Sequence, residues 1–476
     1  ENLLTPEERS SEAAKKLLAQ ASKSADPKQK RPGGGRNGSD QHKRATIIPV
    51  AHGALKHGDC CPDCNCGKVY TGKNPGVLWR FEAQPFCVVK KYELQRLKCN
   101  HCDAHFTAAP PAEVGEEKYD ETVAAMLGLS RYGAGLPAHR LEGLLKQFGV
   151  LLPDSTQWEL VCHAANLMQP MADELIRQGA NSFRIYTDDT FMRIIDQVRR
   201  LKGRTGTYTT AMVAESVQGN KVALFFTGEQ HAGENLAEVL RHRAEHLPKP
   251  ILMCDALSRN RPKEQAELIE IVMSNCLSHG RRNFVEIYEK FPEECGHLIA
   301  ELGRVYRNEA AAKSLNLGPD ERLVYHQQHS QPVMEELFRW SHQLLTEKVA
   351  EPNSGLGKAI TYLHNHWKGL TEFLRTPGAA LDNNICERAI KKMVLYRKNS
   401  MFYRNENGSS VGDVYMSLIH TCELNGVSAF QYLVALQKNA AEVRNNPQDW
   451  LPWTFRDRTA SATGPPASEA LLTACT

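Results

Sequence analysis

The chain has 476 residues, 41% hydrophobic and 24% charged, with a formal net charge of +3, a composition that excludes an intrinsically disordered or membrane-embedded protein. At about 150 residues per domain it has room for roughly three domains. No run of about 18 apolar residues marks a membrane helix and the opening stretch lacks the apolar centre of a signal peptide; a cytoplasmic protein without membrane partners is expected, and the start at Glu1 leaves room for residues upstream.

In chain order, residues 1–25 predict one short helix. TPEE from Thr5 supplies a threonine cap, a proline at the first helical position and a glutamate three residues after the cap. Residues 26–45, DPKQKRPGGGRNGSDQHKRA, hold six Lys/Arg, two Asp and four Gly without apolar periodicity, and read as a flexible basic linker.

Seven of the fourteen cysteines then fall between Cys60 and Cys102. CPDC at Cys61 to Cys64 and CNHC at Cys99 to Cys102 are separated by 34 residues. Two CxxC pairs, each able to clasp one side of an ion, make the four-thiolate ligand set of a structural zinc. Strand-like FEAQPFCVVKKYELQRLKC lies between them, so residues 46–110 are expected to form a four-cysteine zinc ribbon around one structural zinc held by Cys61, Cys64, Cys99 and Cys102. Cys60 and Cys66 flank the first pair, but the spacing favours Cys61 and Cys64.

Residues 111–180 turn helical, with breaks at GAGLP and FGVLLPDS. The piece from Pro137 to Ala164 has the form helix, glycine-containing turn, helix capped by Asp154 or Ser155. That form suits a helix-turn-helix for DNA and equally suits plain core packing. From 181 to 291, RIYTDDTFMRII, GTYTTAMVAES and KVALFFTG are three β-rich runs, followed by a helix over 234–245, a buried strand PILMCDAL, and a helix or strand edge that leads through Asn275 to His279 into another helix. Residues 292–376 are helical throughout, with Trp340 and Trp367 as core anchors; residues 377–455 return with LDNNICERAI, and the tail 456–476 is low-complexity.

Three carboxylates stand out by position: Asp188 in the first β-run, Asp255 after ILMC, and Glu387 behind DNNIC. Acids at the ends of apolar strands cost desolvation energy unless paired, hydrogen-bonded or metal-bound. Taken singly, Asp255 suits a turn, Asp382 an N-cap and Glu387 an ion pair with Lys391. Together they suit a hard-oxygen cage for two magnesium ions, the arrangement that drives in-line phosphoryl displacement.

TDDT, LMCDAL, CLSHGRRNF and LDNNICERAIKKMVLYRKNSMFY, with CPDC, CNHC and PAHRLEGLLKQFGV upstream, together resemble the insertion-sequence-66 family of DDE transposases, from the cysteine pairs to about Leu433. The resemblance implies a multidomain α/β plus α chain: a ribonuclease-H-like catalytic core interrupted by an all-helical insertion, preceded by a zinc ribbon and a helical, helix-turn-helix-like DNA-binding region. It implies catalytic, metal-holding roles for Asp188, Asp255 and Glu387 with two magnesium or manganese ions. It further implies double-stranded DNA (element ends and target) as substrate, a homo-oligomer on DNA, element-encoded accessory proteins as partners, and a place at the bacterial nucleoid. The family's ADET-like motif maps onto Thr187 to Thr190, which puts the first role on Asp188; Asp189, where the family usually has glutamate, His279 and Asn384 are accessory candidates. CLSHGRR stands where the family has a CWAHxRR-like motif, a change that touches none of the three acids.

Arg388, Lys391, Lys392, Arg397, Lys398 and Arg404 follow Glu387 with no acid among them and with Tyr396, Phe402 and Tyr403 interleaved. Cations beside a metal-holding acid are what a DNA backbone needs to be positioned, and Arg281 and Arg282 extend the set. A catalytically inactive zinc-dependent DNA-binding protein, or a metal-dependent nuclease without strand transfer, would carry many of the same features.

Overall fold

The computed structural model describes residue 50 and residues 54–64, 66–70, 86–98, 105–111, 117–198, 206–260 and 270–456. The expected N-terminal helix, the basic linker, Cys99, Cys102 and nearly all of the tail lie outside them. The described residues fall into two compact units, one up to Pro85 and one from Phe86.

In the first unit the chain reverses around CPDC. Cys60 bridges antiparallel to Lys68, Cys61 N–H donates to Gly67 O (2.8 Å) and Gly58 N–H to Val69 O (2.8 Å), with Gly58 at φ +93°, a conformation that favours glycine.

The second unit begins with a small hairpin, β1 (Arg96–Lys98) against β2 (His105–Thr107). These three-residue strands fall short of the longer ribbon strands expected, since residues 87–95 take no regular structure. Helix α1 (Glu121–Gly128), capped by Asp120, runs into one π-helical turn (Leu129–Gly133); α2 (Ala138–Gln147) and α3 (Asp154–Ala180) follow. Asp154 is the first residue of α3 rather than its cap, with Pro153 before it. The inward stripe of α3, from Gln157 through Val161, Met168 and Leu175 to Ala180, is buried, so this helix is a core element over most of its length.

The five-stranded mixed sheet comprises β3 (Arg184–Phe191), β4 (Tyr208–Glu215), β5 (Lys221–Gly228), β6 (Ile251–Cys254) and β7 (Val272–Asn275), ordered β5-β4-β3-β6-β7. β3, β4 and β5 pair antiparallel, while β3 with β6 and β6 with β7 pair parallel. β6, parallel to both neighbours, is buried throughout and reads as a continuous apolar run, as covered parallel strands do, and β4 is buried over all but its end residues. Short α4 (Ile195–Val198) follows β3, α5 (Ala232–Leu240) links β5 to β6, and α6 (Leu277–Ile287) follows β7.

Next comes a helical block: α7 (Pro292–Ser314), α8 (Pro319–His329), α9 (Gln331–Thr346), α10 (Gly355–Asn365) and α11 (Trp367–Leu370). Prolines at the starts of α7, α8 and α9 cost nothing there, because the first helical N–H groups have no intrahelical acceptor. The block has its own core, with Leu298, Leu302, Met334, Leu337, Ile360 and Leu363 buried; Trp340 and Trp367 sit partly buried at its margin. Inside it, Glu309 receives Arg322 (2.6 and 2.8 Å) and His326 Nε2 (2.9 Å).

The chain then returns to the sheet through α12 (Asn384–Ser400) and α13 (Glu406–Leu424), and ends in α14 (Ala429–Lys438) and α15 (Ala440–Asn445). α13 covers the β5 edge through one repeated contact. Thr227, Phe225, Ala223 and Lys221 donate their backbone N–H groups to Asp413 (2.7 Å), Ser417 (3.0 Å), Thr421 (3.0 Å) and Asn425 (3.1 Å). Every fourth helical residue advances about 6 Å and every second strand residue about 6.8 Å, so a polar stripe of period four satisfies an edge that would otherwise invite another strand. Behind it Tyr132, Tyr396, Tyr403 and Tyr415 stack in series, with ring centroids 5.2 to 5.6 Å apart.

Candidate active site

The parallel register pairs Arg184 with Ile251, Ile185 with Leu252 and Tyr186 with Met253. Asp188 stands two residues past the last of these pairs, and Asp255 directly follows the end of β6, so both aspartates lie toward the same end of two neighbouring parallel strands. Asp188 Oδ1 accepts the N–H of Asp189 (2.9 Å), and Asp255 Oδ1 accepts the side-chain N–H of Asn260 and the N–H of Leu257 (3.2 Å). Burial, then the negative charges of Asp255, Glu387 and Asp189, push the Asp188 carboxyl up to about 7, against the Asp189 N–H that favours its ionised form.

Because neighbouring strand residues face opposite sides, Asp189 turns away from that group. Its carboxylate, 2% exposed, accepts Thr210 Oγ1 (2.6 Å) and the N–H of Ala232 (3.0 Å), and lies 3.3 Å from His231 Nδ1. It anchors the first turn of α5 to the sheet and does not share the face of Asp188.

Glu387 reaches the aspartates from the first turn of α12. Asp382 Oδ1 accepts the N–H of Asn384 (3.1 Å), which opens the helix, and Met401 at φ +68° closes it. The residue that fixes the helix over the sheet is Asn383. Fully buried, it donates from Nδ2 to Thr187 O (2.9 Å), beside Asp188, and from its backbone to Cys276 Sγ (3.2 Å). Cys386 Sγ lies 3.2 Å from Ala211 O. Asn384 is half-buried, and its backbone N–H makes the helix-opening bond to Asp382. Asn383 was not among the sequence candidates: DNN reads as capping chemistry, and nothing local announces that its first asparagine bridges to a strand about 200 residues earlier.

His279, in the first turn of α6, brings Nδ1 to 3.8 Å from Glu387 Oε1; neither atom makes a hydrogen bond. Cys276 Sγ completes a group whose ligand atoms lie within 4.8 Å of one another. Burial first, then the negative charges nearby, hold the Cys276 thiol far above its usual range, so it stays protonated.

The basic residues divide. Arg388, Lys398 and Arg404 are exposed and Lys391 half-exposed. Lys392 pairs with Glu423 (3.1 Å), and Arg397 donates to Thr190 Oγ1 (3.0 Å) and Phe191 O, tying α12 to the end of β3. Arg281 is 3% exposed, one helical turn from Leu277 and Phe284 on the inward stripe of α6, which removes it from a DNA-facing surface; Arg282 beside it is half-buried. Tyr396 and Tyr403 are core residues, so Phe402, 42% exposed, is the aromatic of that run open to solvent.

In the first unit, the N–H groups of Cys66 and Gly67 and the Cys61 thiol all point toward Cys64 and lower its pKa. Stabilised thiolate is the form zinc binds, so the turn fits half of the expected ligand set.

Two aspartates at the ends of the inner strands β3 and β6 thus stand near a glutamate on a helix that returns after an insertion, and it is the family comparison that points to a DNA-processing enzyme. The family described as Transposase IS66 matches residues 117–410, more than half of the chain, and the chain belongs to it. Among relatives, the uncharacterized protein y4jD of Sinorhizobium fredii (strain NBRC 101917 / NGR234) is 26% identical over 382 residues, covering 77% of this chain and 73% of its own. The uncharacterized protein y4hP of the same strain is 24% identical over 394 residues, covering 77% and 68%. Membership implies DNA as substrate and divalent metal ions as cofactors; among the described residues no helix is long and apolar enough to cross a membrane.

Proposed function

We propose that this chain cleaves DNA at the ends of a bacterial insertion sequence and joins the freed 3′ hydroxyl to target DNA, with Asp188, Asp255 and Glu387 holding two magnesium or manganese ions. The observation that carries the reading is the negative charge of Asp255 and Glu387 acting on the buried Asp188 carboxyl. The two aspartates belong to the same end of neighbouring parallel strands, Asn383 ties the start of the glutamate's helix to Thr187, and Asp188 is held up to about 7 by burial and like charge. Such a group relaxes when cations are added. The order β5-β4-β3-β6-β7 and the helical block between β7 and α12 support a ribonuclease-H-like core with an insertion.

When bound, the ions activate the attacking oxygen and stabilise the leaving one in an in-line displacement. The chain's own part is positional. Asp188 and Asp255 offer oxygens from the rigid sheet; Glu387 closes the set from α12; Arg388, Lys398 and Arg404 hold the phosphate backbone along the same helix and just beyond it. Water is the first nucleophile, and the 3′ hydroxyl it releases is the second. On sequence spacing, Cys61 and Cys64 with Cys99 and Cys102 hold one structural zinc, and the environment of Cys64 supports that role.

The test is magnesium-dependent cleavage and joining of labelled element-end DNA by the intact chain and by Glu387→Gln. Loss of both products with DNA binding retained supports the reading. Nicked ends without joined products leave a nuclease, binding without any cleavage leaves an inactive DNA-binding protein, and unchanged chemistry in the variant removes Glu387 from the site.

A further inference from the structure

We propose that His279 is a nitrogen ligand to the cation held by Glu387, making that half of the carboxylate site a mixed imidazole–carboxylate site that prefers manganese to magnesium. This rests on the metal-holding role of Glu387 proposed above and adds a ligand and a selectivity to it.

The geometry comes from two helix starts that meet. Leu277 N–H donates to Leu381 O (2.9 Å) and Asn383 N–H to Cys276 Sγ (3.2 Å), so the first turns of α6 and α12 are locked side by side. Each presents one donor atom to the other. Nδ1 of His279 and Oε1 of Glu387 stand 3.8 Å apart, too far for a hydrogen bond. Both atoms are shut off from solvent without a hydrogen-bond partner, although the side chains as wholes are 24% and 13% exposed. A buried polar atom without a partner is costly, and in the tautomer that carries the ring proton on Nε2 the Nδ1 lone pair and the Glu387 oxygen, facing each other at this distance, suit a shared cation with bonds of about 2.0–2.2 Å to each.

Cys276 Sγ, the third atom of the group, already accepts the Asn383 N–H from the inner side and lines the place without being needed as a ligand. His279 is the imidazole among the clustered donors, and imidazole changes which ion is preferred. Magnesium takes oxygen ligands and gains little from a ring nitrogen, whereas first-row transition ions bind nitrogen well. A cage of carboxylates alone would not make this distinction so strongly.

The experiment uses the full chain without DNA. Manganese is titrated into the intact protein, His279→Ala, His279→Asp and Glu387→Gln, bound ion is counted by electron paramagnetic resonance, and nitrogen coordination is read from ¹⁴N modulation in the pulsed spectrum. Magnesium competition gives the selectivity. The expected results are ¹⁴N modulation in the intact chain, its loss in His279→Ala with about tenfold weaker manganese binding, and recovery of affinity without ¹⁴N in His279→Asp, now shifted toward magnesium. Because His279→Asp keeps a ligand at the position, it separates lost coordination from lost fold. If Glu387→Gln releases manganese while His279→Ala keeps both affinity and ¹⁴N signal, the histidine is overturned and the metal role of Glu387 stands. If Glu387→Gln binds manganese as the intact chain does, both fall.

Discussion

Asp413 offers a quantitative test of how α13 holds the sheet edge. Its two oxygens accept the backbone N–H and the hydroxyl of Thr227, each at 2.7 Å. Burial nevertheless pushes the carboxyl from its ordinary 3.8 up to about 8, the hydrogen bonds from Thr227 only partly opposing it. The folded pKa is raised above the unfolded one, so the folded state carries one more proton between those values. Its contribution to stability is full below about pH 4 and is lost as pH rises toward 8, at about 1.4 kcal/mol per pH unit. From pH 5 to pH 7 the loss from this group is about 3 kcal/mol. Asp413→Asn keeps the shape and removes the ionisation, so its stability relative to the native chain should improve by about that amount over the interval. Urea unfolding at pH 5, 6, 7 and 8, followed by tryptophan fluorescence, measures the difference directly. Groups common to both proteins, Asp188 among them, cancel in the comparison. A native-minus-variant difference that stays constant from pH 5 to pH 8 would refute the reasoning.

Glu309 should behave in the opposite sense. Burial raises it, but His326, Arg322 and Lys313 together outweigh burial and bring it down to about 2; its contribution is therefore present above the unfolded value of 4.5 and lost as pH falls toward 2, and Glu309→Gln should cost about 3 kcal/mol at pH 7, read as a lower unfolding midpoint that converges with the native one in acid. Asn383→Ala removes the bond to Thr187 O and leaves a buried carbonyl without its donor, so a loss of about 1–3 kcal/mol is expected, together with a fall in cleavage rate at unchanged DNA affinity. Cys64→Ser should lower the zinc content of the full chain from one ion toward none, measured by elemental analysis, without altering the manganese bound at the carboxylates.

The acids and the strands that carry them were legible because both obey simple local rules. TDDT follows a buried apolar run, and alternation lets only one of its aspartates share a face with Asp255; ILMC ends in an acid for which an apolar strand has no use. The basic run was harder to read because charge and helical phase carry different information. Ala389, Met393 and Tyr396 form the inward stripe of α12, which turns Tyr396 into a core residue and brings Arg397 within reach of Thr190 and Phe191, while Arg388 and Lys398 stay outside. Arg281 failed as a surface cation for the same reason. Asn383 and Cys276 were illegible, since each acts through a contact more than 100 residues away in sequence. The Asp413, Ser417, Thr421, Asn425 stripe shows the converse: a period of four that is plain in the sequence acquires meaning only when an edge strand is laid against it.

That stripe also sets an order of events in synthesis. The four β5 amides wait for partners 186 to 204 residues downstream, which at typical translation speeds is on the order of ten to forty seconds. During that interval KVALFFTG has its inner side paired to β4 and its outer side bare, next to other nascent copies on the same message. A chain interrupted before Asp413 would never cover it. Abortive products of this gene are therefore expected to associate strand to strand, whereas the finished chain has sealed that route to aggregation with four side chains.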